Sequence, residues 1–189
     1  MKQYKVGIIG GTGMVGQRFI TLMENHPWFE LTVIAASGRS AGKTYEDALA
    51  GRWALDIPMP EEAKKLVVMD AEADAEKIAS TVDFVFCAVN MKKEEIKALE
   101  EKYARLECPV VSNNSANRWT EDVPMVVPEI NADHIAVIDA AGHKAGLHRR
   151  KIQLFAAELR SGAESPAEIR TGSRAGLHVS GHFRCRKDL

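Results

Sequence analysis

The residues best suited to chemistry lie in four short stretches. GIIGGTGMVGQRF, residues 7–19, sets Gly10, Gly13 and Gly16 three apart. Between a strand and a helix, that spacing gives a tight turn at Gly10, backbone approach to a pyrophosphate at Gly13, and close helix–strand packing at Gly16. SGRSAGK, residues 37–43, offers two hydroxyls, a guanidinium and an ammonium, a set suited to a phosphate monoester. SNNSANR, residues 112–118, gathers Asn, Ser and Arg into a small anion site or into ordinary turn chemistry, and the residues alone leave both open. HVSGHFRC places His178, His182 and Cys185 at spacings open to zinc, but no fourth ligand is evident, and no metal site is expected.

The elements needed to hold these stretches are legible. YKVGIIG is almost continuously apolar, as a strand buried on both faces should be. A helix follows, with Val15, Phe19, Ile20 and Met23 at helical spacing. ELTVIAAS, KLVVMD, VDFVFCAV, CPVVSNN and VPMVV read as further strands. KKEEIKALEEKYARLE is an amphipathic helix with Ile96, Leu99, Tyr103 and Leu106 on one stripe. Alternation of this kind predicts an α/β fold, a Rossmann-type doubly wound parallel sheet, with the glycine turn binding a dinucleotide at a helix N-terminus. An NAD site expects a carboxylate just after the second strand, and none occurs here before Glu46. Ser37, Arg39 and Ser40, with Lys43 adding charge, point to a 2′-phosphate instead, and hence to NADP.

Composition divides the chain near residue 140. Residues 1–140 hold 15 of the 25 Lys and Arg and 22 of the 26 acidic residues, a balance of −7, whereas residues 141–189 stand at +6. The hydrophobic share of 46% suits a packed core, and no apolar run is long enough to cross a bilayer. The start MKQYKVGIIGG leads directly into the glycine motif and does not read as a signal peptide. Cys87, Cys108 and Cys185 show no paired spacing, so the expected setting is the cytoplasm, with no membrane or nucleic-acid partner.

GIIGGTGMVGQ, SGRSAGK, SNNSANR and VPMVVPEIN, in this order, resemble aspartate-semialdehyde dehydrogenases of the archaeal and fungal type over about residues 4–140. The resemblance implies an NADP-binding Rossmann domain over residues 1–140, followed in that family by a catalytic and dimerisation domain. It also implies homo-oligomers that interconvert aspartyl phosphate and aspartate semialdehyde on the route to lysine, threonine and methionine. By position, Gly10, Thr12, Gly13, Met14 and Val15 would line the dinucleotide, and Ser37, Arg39 and Ser40 would hold the 2′-phosphate. Asn113 and Ser115 would lie near the nicotinamide and phosphate, Arg118 would grip the substrate phosphate, and Asn131 is a weaker candidate.

That chemistry needs a cysteine thiolate as nucleophile and a histidine as general acid and base. The family carries the cysteine in an NCS segment soon after PEIN, and this chain has none there. Cys87 lies in an apolar strand, Cys108 precedes Pro109, and Cys185 sits in HFRCRK, so no catalytic residue is assigned. The genetic code suggests why. Lys151 to Phe155 can be written AAA ATC CAA CTG TTC, and one base forward the same string starts KSNCS. Continuing the shift, LHVSGHFRCRKD is compatible with SYQAISGAGK and its neighbours. Residues 141–189 therefore read as an out-of-frame tail in place of the catalytic and dimerisation domain, poorly ordered because its patterning was never selected. KIQLFAAELRSG could at most form a short helix with Ile152, Phe155 and Leu159 on one face. The expected polypeptide keeps NADP binding and is itself inactive. The alternatives are a malonyl-CoA reductase-like paralogue and a non-enzymatic NADP-binding module.

Overall fold

A computed structural model describes residues 3–121, 123–137 and 151–154 of the 189. Strand β1 (Tyr4–Ile9) runs into the glycine turn and helix α1 (Met14–Met23), and β2 (Phe29–Ala36) follows. Two short helices, α2 (Tyr45–Leu49) and α3 (Glu61–Lys65), lead to a two-residue β3 (Met69–Asp70). Helix α4 (Ala75–Thr81), β4 (Phe84–Cys87), α5 (Lys93–Arg105) and β5 (Val110–Ser112) complete the regular alternation. Then come β6 (Met125–Val126), α6 (Pro128–Asn131), a 3₁₀ turn (Ala132–Ala136) and β7 (Lys151–Leu154).

The strands lie in the order β3-β2-β1-β4-β5-β7-β6, and every pairing is parallel. This is the doubly wound sheet expected from the alternation, with its order reversing between β1 and β4. Side chains alternate across it, so each strand supplies two cores. Val6, Ile8, Ile34, Ala36 and Phe86 pack with Ile20, Tyr45 and Leu49 on one face. Ile9, Val33, Ala35, Val85 and Cys87 pack with Ile78, Leu99 and Tyr103 on the other. Burial on both faces explains why the central strands read as unbroken apolar runs. Stacking of Phe19 on Phe86, with centroids 4.8 Å apart, fixes α1 against β4.

Two expectations are corrected. Val15 is 45% exposed and leaves the buried stripe of α1, which is completed by Gly16 and Gln17. Residues 151–154, read as the start of a possible helix, form strand β7 between β5 and β6. Parallel pairing on both sides satisfies backbone groups that a four-residue helix would leave open. The rest of the tail, including Phe155, Leu159, His178, His182 and Cys185, lies outside the described residues, as does its expected disorder.

Candidate functional site

The glycine turn sits where β1 and β4 end side by side. Gly10 has φ +86°, and a Cβ there would lie 2.5 Å from the carbonyl oxygen of Ala88 after β4. Only glycine fits both demands. At Gly16 a Cβ would fall 2.3 Å from the Gly10 carbonyl oxygen, so the first turn of α1 rests directly on the loop. Gly13 is different: a Cβ would meet only the Gly10 oxygen, at 3.5 Å, and otherwise face open space. The turn is held from beneath by amides of Gly10 and Gly11 donating to Ala35 O, at 2.8 and 3.2 Å.

Gly13 is the N-cap of α1 and supplies no side-chain cap, and the first turn holds no acid. Uncapped N–H groups and the positive end of a ten-residue helix thus face the space above Gly13, an arrangement that attracts phosphate. Met14 and Val15 border that space and are 67% and 45% exposed, while Thr12 lies beside it in the loop.

The second stretch follows β2 at the same edge of the sheet. The Ser40 amide donates to Ser37 O at 2.9 Å, forming a turn in which Ser37 and Arg39 are exposed and Ser40 is half-buried. Gly42 N donates to Val68 O and Val68 N to Lys43 O, both at 2.8 Å, so the far end of this loop is tied down. A carboxylate unforeseen in the sequence also stands here. The Asp70 side chain, at the end of β3, would come within 2.6 Å of a Cβ on Gly38. Its Oδ1 accepts from the amides of Glu72 and Ala73, both at 2.8 Å. No acid follows the second strand directly, and the sheet brings one from the third.

The third stretch leaves β5 beside β4. Asn113 N donates to Cys87 O at 3.3 Å, which fixes the loop to the end of β4. The Asn113 Oδ1 is buried without a hydrogen-bond partner among the described residues, an acceptor suited to a ligand amide or hydroxyl. Ser115 is exposed and Arg118 half-buried. Asn131, by contrast, is committed to the chain: its Oδ1 accepts from Val127 N at 2.7 Å and its Nδ2 donates to Met125 O at 2.9 Å. The glycine turn, the Ser37–Lys43 loop and the Ser112–Arg118 loop thus all follow carboxyl ends of parallel strands, where open α/β sheets bind ligands.

Neither described cysteine is suited to nucleophilic attack. Cys87 is fully buried in the core shared with Ile78, Leu99 and Tyr103, and burial, then the nearby Glu100 carboxyl, pushes its thiol pKa up. Burial also pushes Cys108 up to about 11. No group of three or more His, Cys, Asp or Glu able to hold a metal exists among the described residues. Nor is any helix there long and apolar enough to cross a membrane.

Several supporting residues become apparent only in the folded chain. Gln17 is 1% exposed, and its Nε2 donates to Thr12 O and Arg52 O while its Oε1 accepts from Ala54 N. The buried Tyr45 hydroxyl donates to Gly11 O at 2.6 Å. Glu100, 2% exposed, meets the Ser112–Asn117 loop from α5. Gln17 and Glu100 share one available signal, a polar residue on the apolar stripe of a helix.

Residues 5–138 match the family described as semialdehyde dehydrogenase, NAD binding domain. Aspartate-semialdehyde dehydrogenase of Methanothermobacter thermautotrophicus is 40% identical over 141 residues, covering 75% of this chain and 38% of that protein. The Aspergillus fumigatus enzyme is 40% identical over 145 residues, 77% of this chain and 38% of that protein. The Candida albicans enzyme, solved with NADP, superposes with a TM-score of 0.68 at 33% identity, covering 81% of this chain and 42% of that one. The chain thus spans about two-fifths of the length of the relatives it matches. With the glycine turn, the switch point between β1 and β4, and these matches together, the chain belongs to the semialdehyde dehydrogenase family, whose NAD-binding domain it carries, and is similar to the corresponding part of aspartate-semialdehyde dehydrogenases.

Proposed function

We propose that this domain binds NADP, with the pyrophosphate over Gly13 and the N-terminus of α1 and the 2′-phosphate in the Ser37–Ser40 loop. The observation that carries this reading is the cradle itself: Gly10 and Gly16 admit no side chain, and Gly13 opens onto an uncapped helix end. Thr12, Met14 and Val15 line the same space, Ser37, Arg39 and Ser40 take the 2′-phosphate, and Asn113 and Ser115 approach the nicotinamide. Arg118 is the residue for a substrate phosphate. When bound, NADP supplies or accepts a hydride. The chain's part is to hold the dinucleotide by helix-end N–H groups, to discriminate at the 2′ position, and to orient the carboxamide end through the unpartnered Asn113 oxygen.

The family reaction, NADP-dependent interconversion of aspartyl phosphate and aspartate semialdehyde in lysine, threonine and methionine biosynthesis, is the activity from which this sequence descends. The 189 residues themselves are read as inactive, keeping cofactor binding alone. Cys87 and Cys108 are free but buried, and no NCS segment follows PEIN. The reading-frame shift near Ala140 or Ala141 accounts for both the missing segment and the change of charge. The two free thiols suit a reducing cytoplasm.

Two measurements test this. Titration of the chain with NADPH and NADH, followed by nicotinamide fluorescence, should give a Kd at least about tenfold lower for NADPH, a gap that Arg39→Ala narrows. Equal affinity for the two would refute the 2′-phosphate assignment. Resequencing the codons from Val137 to Leu154 should reveal one base gained or lost, or else confirm the inactive product. Dehydrogenase turnover by the chain as it stands would overturn the inactive reading.

A further inference from the structure

We propose that Glu100 is a positioning residue for the Ser112–Arg118 loop, turning Asn113, Ser115 and Arg118 toward the ligand. The proposal rests on the reading of that loop as part of the NADP and phosphate site. Glu100 lies on the inner face of α5 and is 2% exposed, an unusual place for a carboxyl group. Its surroundings consist of donors from the loop. Ser112 Oγ donates to Oε1, Asn114 Nδ2 donates to Oε1 at 3.3 Å, and Asn117 Nδ2 donates to Oε2 at 2.6 Å. None of these partners is a cation. The same Asn114 Nδ2 also donates to the Cys87 Sγ, at the end of β4, at 3.4 Å.

Residues bonded to Glu100 therefore fall at positions 112, 114 and 117, and the candidate ligand residues Asn113, Ser115 and Arg118 each directly follow one of them. Secondary bonds lock the pattern. Asn114 N donates to Ser112 Oγ at 3.1 Å, and Thr120 Oγ1 donates to Asn117 Oδ1 at 3.0 Å. A loop rich in Ser and Asn has many hydrogen-bonding options, so one buried acceptor able to serve three donors selects a single conformation. Charge-assisted bonds to a buried carboxylate are the strong members of their class, and an amide in its place turns one acceptor into a donor facing donors.

The test compares Glu100→Gln with the unaltered full chain in two ways. Amide hydrogen exchange should accelerate about tenfold or more across residues 112–118 and stay unchanged in the glycine turn. Affinity for NADPH should fall about tenfold, while affinity for 2′,5′-ADP, which reaches only the adenosine half, stays within about twofold. Equal loss of both ligands would mark a general structural effect and overturn the proposal, as would unchanged exchange in the loop. Asn117→Ala, which removes one donor and keeps the acid, should reproduce the exchange result if Glu100→Gln does not fold. A wild-type chain that binds neither ligand would refute the NADP reading, and the exchange measurement would still decide the role of Glu100.

Discussion

Alanine at Gly16 and at Gly13 should have opposite profiles, because the two glycines serve different needs. At Gly16 the new Cβ would lie 2.3 Å from Gly10 O and 2.7 Å from the Gly11 Cα, both backbone atoms. Relief to ordinary contact requires α1 to move off the loop by about 1 Å. Overpacking against backbone atoms, which cannot rotate away, falls in the upper part of the usual range, at about 2–3 kcal/mol. Alanine returns at most about 1 kcal/mol through its better helix propensity. The net loss of about 1–2 kcal/mol corresponds to a melting temperature lower by about 3–8 °C for a domain of this size. At Gly13 the only neighbour is Gly10 O at 3.5 Å, and φ is −81°, so folding is undisturbed. The methyl instead occupies the approach to the pyrophosphate, and NADPH affinity should fall at least about tenfold with a melting temperature within about 2 °C of wild type. Thermal unfolding by circular dichroism and fluorescence titration of NADPH measure the two quantities. A Gly16→Ala variant that melts with wild type would refute the close approach of helix and loop. A Gly13→Ala variant with wild-type affinity would refute the placement of the pyrophosphate.

Two further outcomes are expected. Gln17→Leu keeps the shape of the side chain but abandons two carbonyls and an amide, at Thr12, Arg52 and Ala54, and should destabilise the domain by about 2–4 kcal/mol in urea titration; a loss under about 0.5 kcal/mol would show that water replaces it. Stability should also fall in alkali. Burial raises the Cys108 thiol from 9.0 to about 11 and raises Cys87, Tyr45 and Tyr103 as well, so the unfolded chain loses these protons first. Their contribution is whole below about pH 9 and declines as pH rises toward 11 and above. The urea midpoint should drop between pH 8 and pH 10.5, and Cys108→Ala should flatten that drop; an unchanged slope in the variant would assign the effect to other groups.

The order of strands and helices, the glycine turn and the shift to Asn- and Ser-rich loops at strand ends were determined by the sequence alone. These are local matters: a two-sided buried strand must be apolar throughout, and a backbone at φ +86° beside another backbone admits only glycine. Tertiary structure decided which distant groups meet. Asp70 reaches Gly38 because β3 pairs with β2, not because of any spacing along the chain. Glu100 faces Ser112 and Asn117 because α5 packs beneath the end of β5, although along the sequence it is one acid among several on a charged helix. Residues 151–154 show the same limit most plainly. Four residues carry too little periodicity to choose a helix or a strand, and parallel partners on either side, β5 and β6, settle the choice by satisfying their backbone hydrogen bonds.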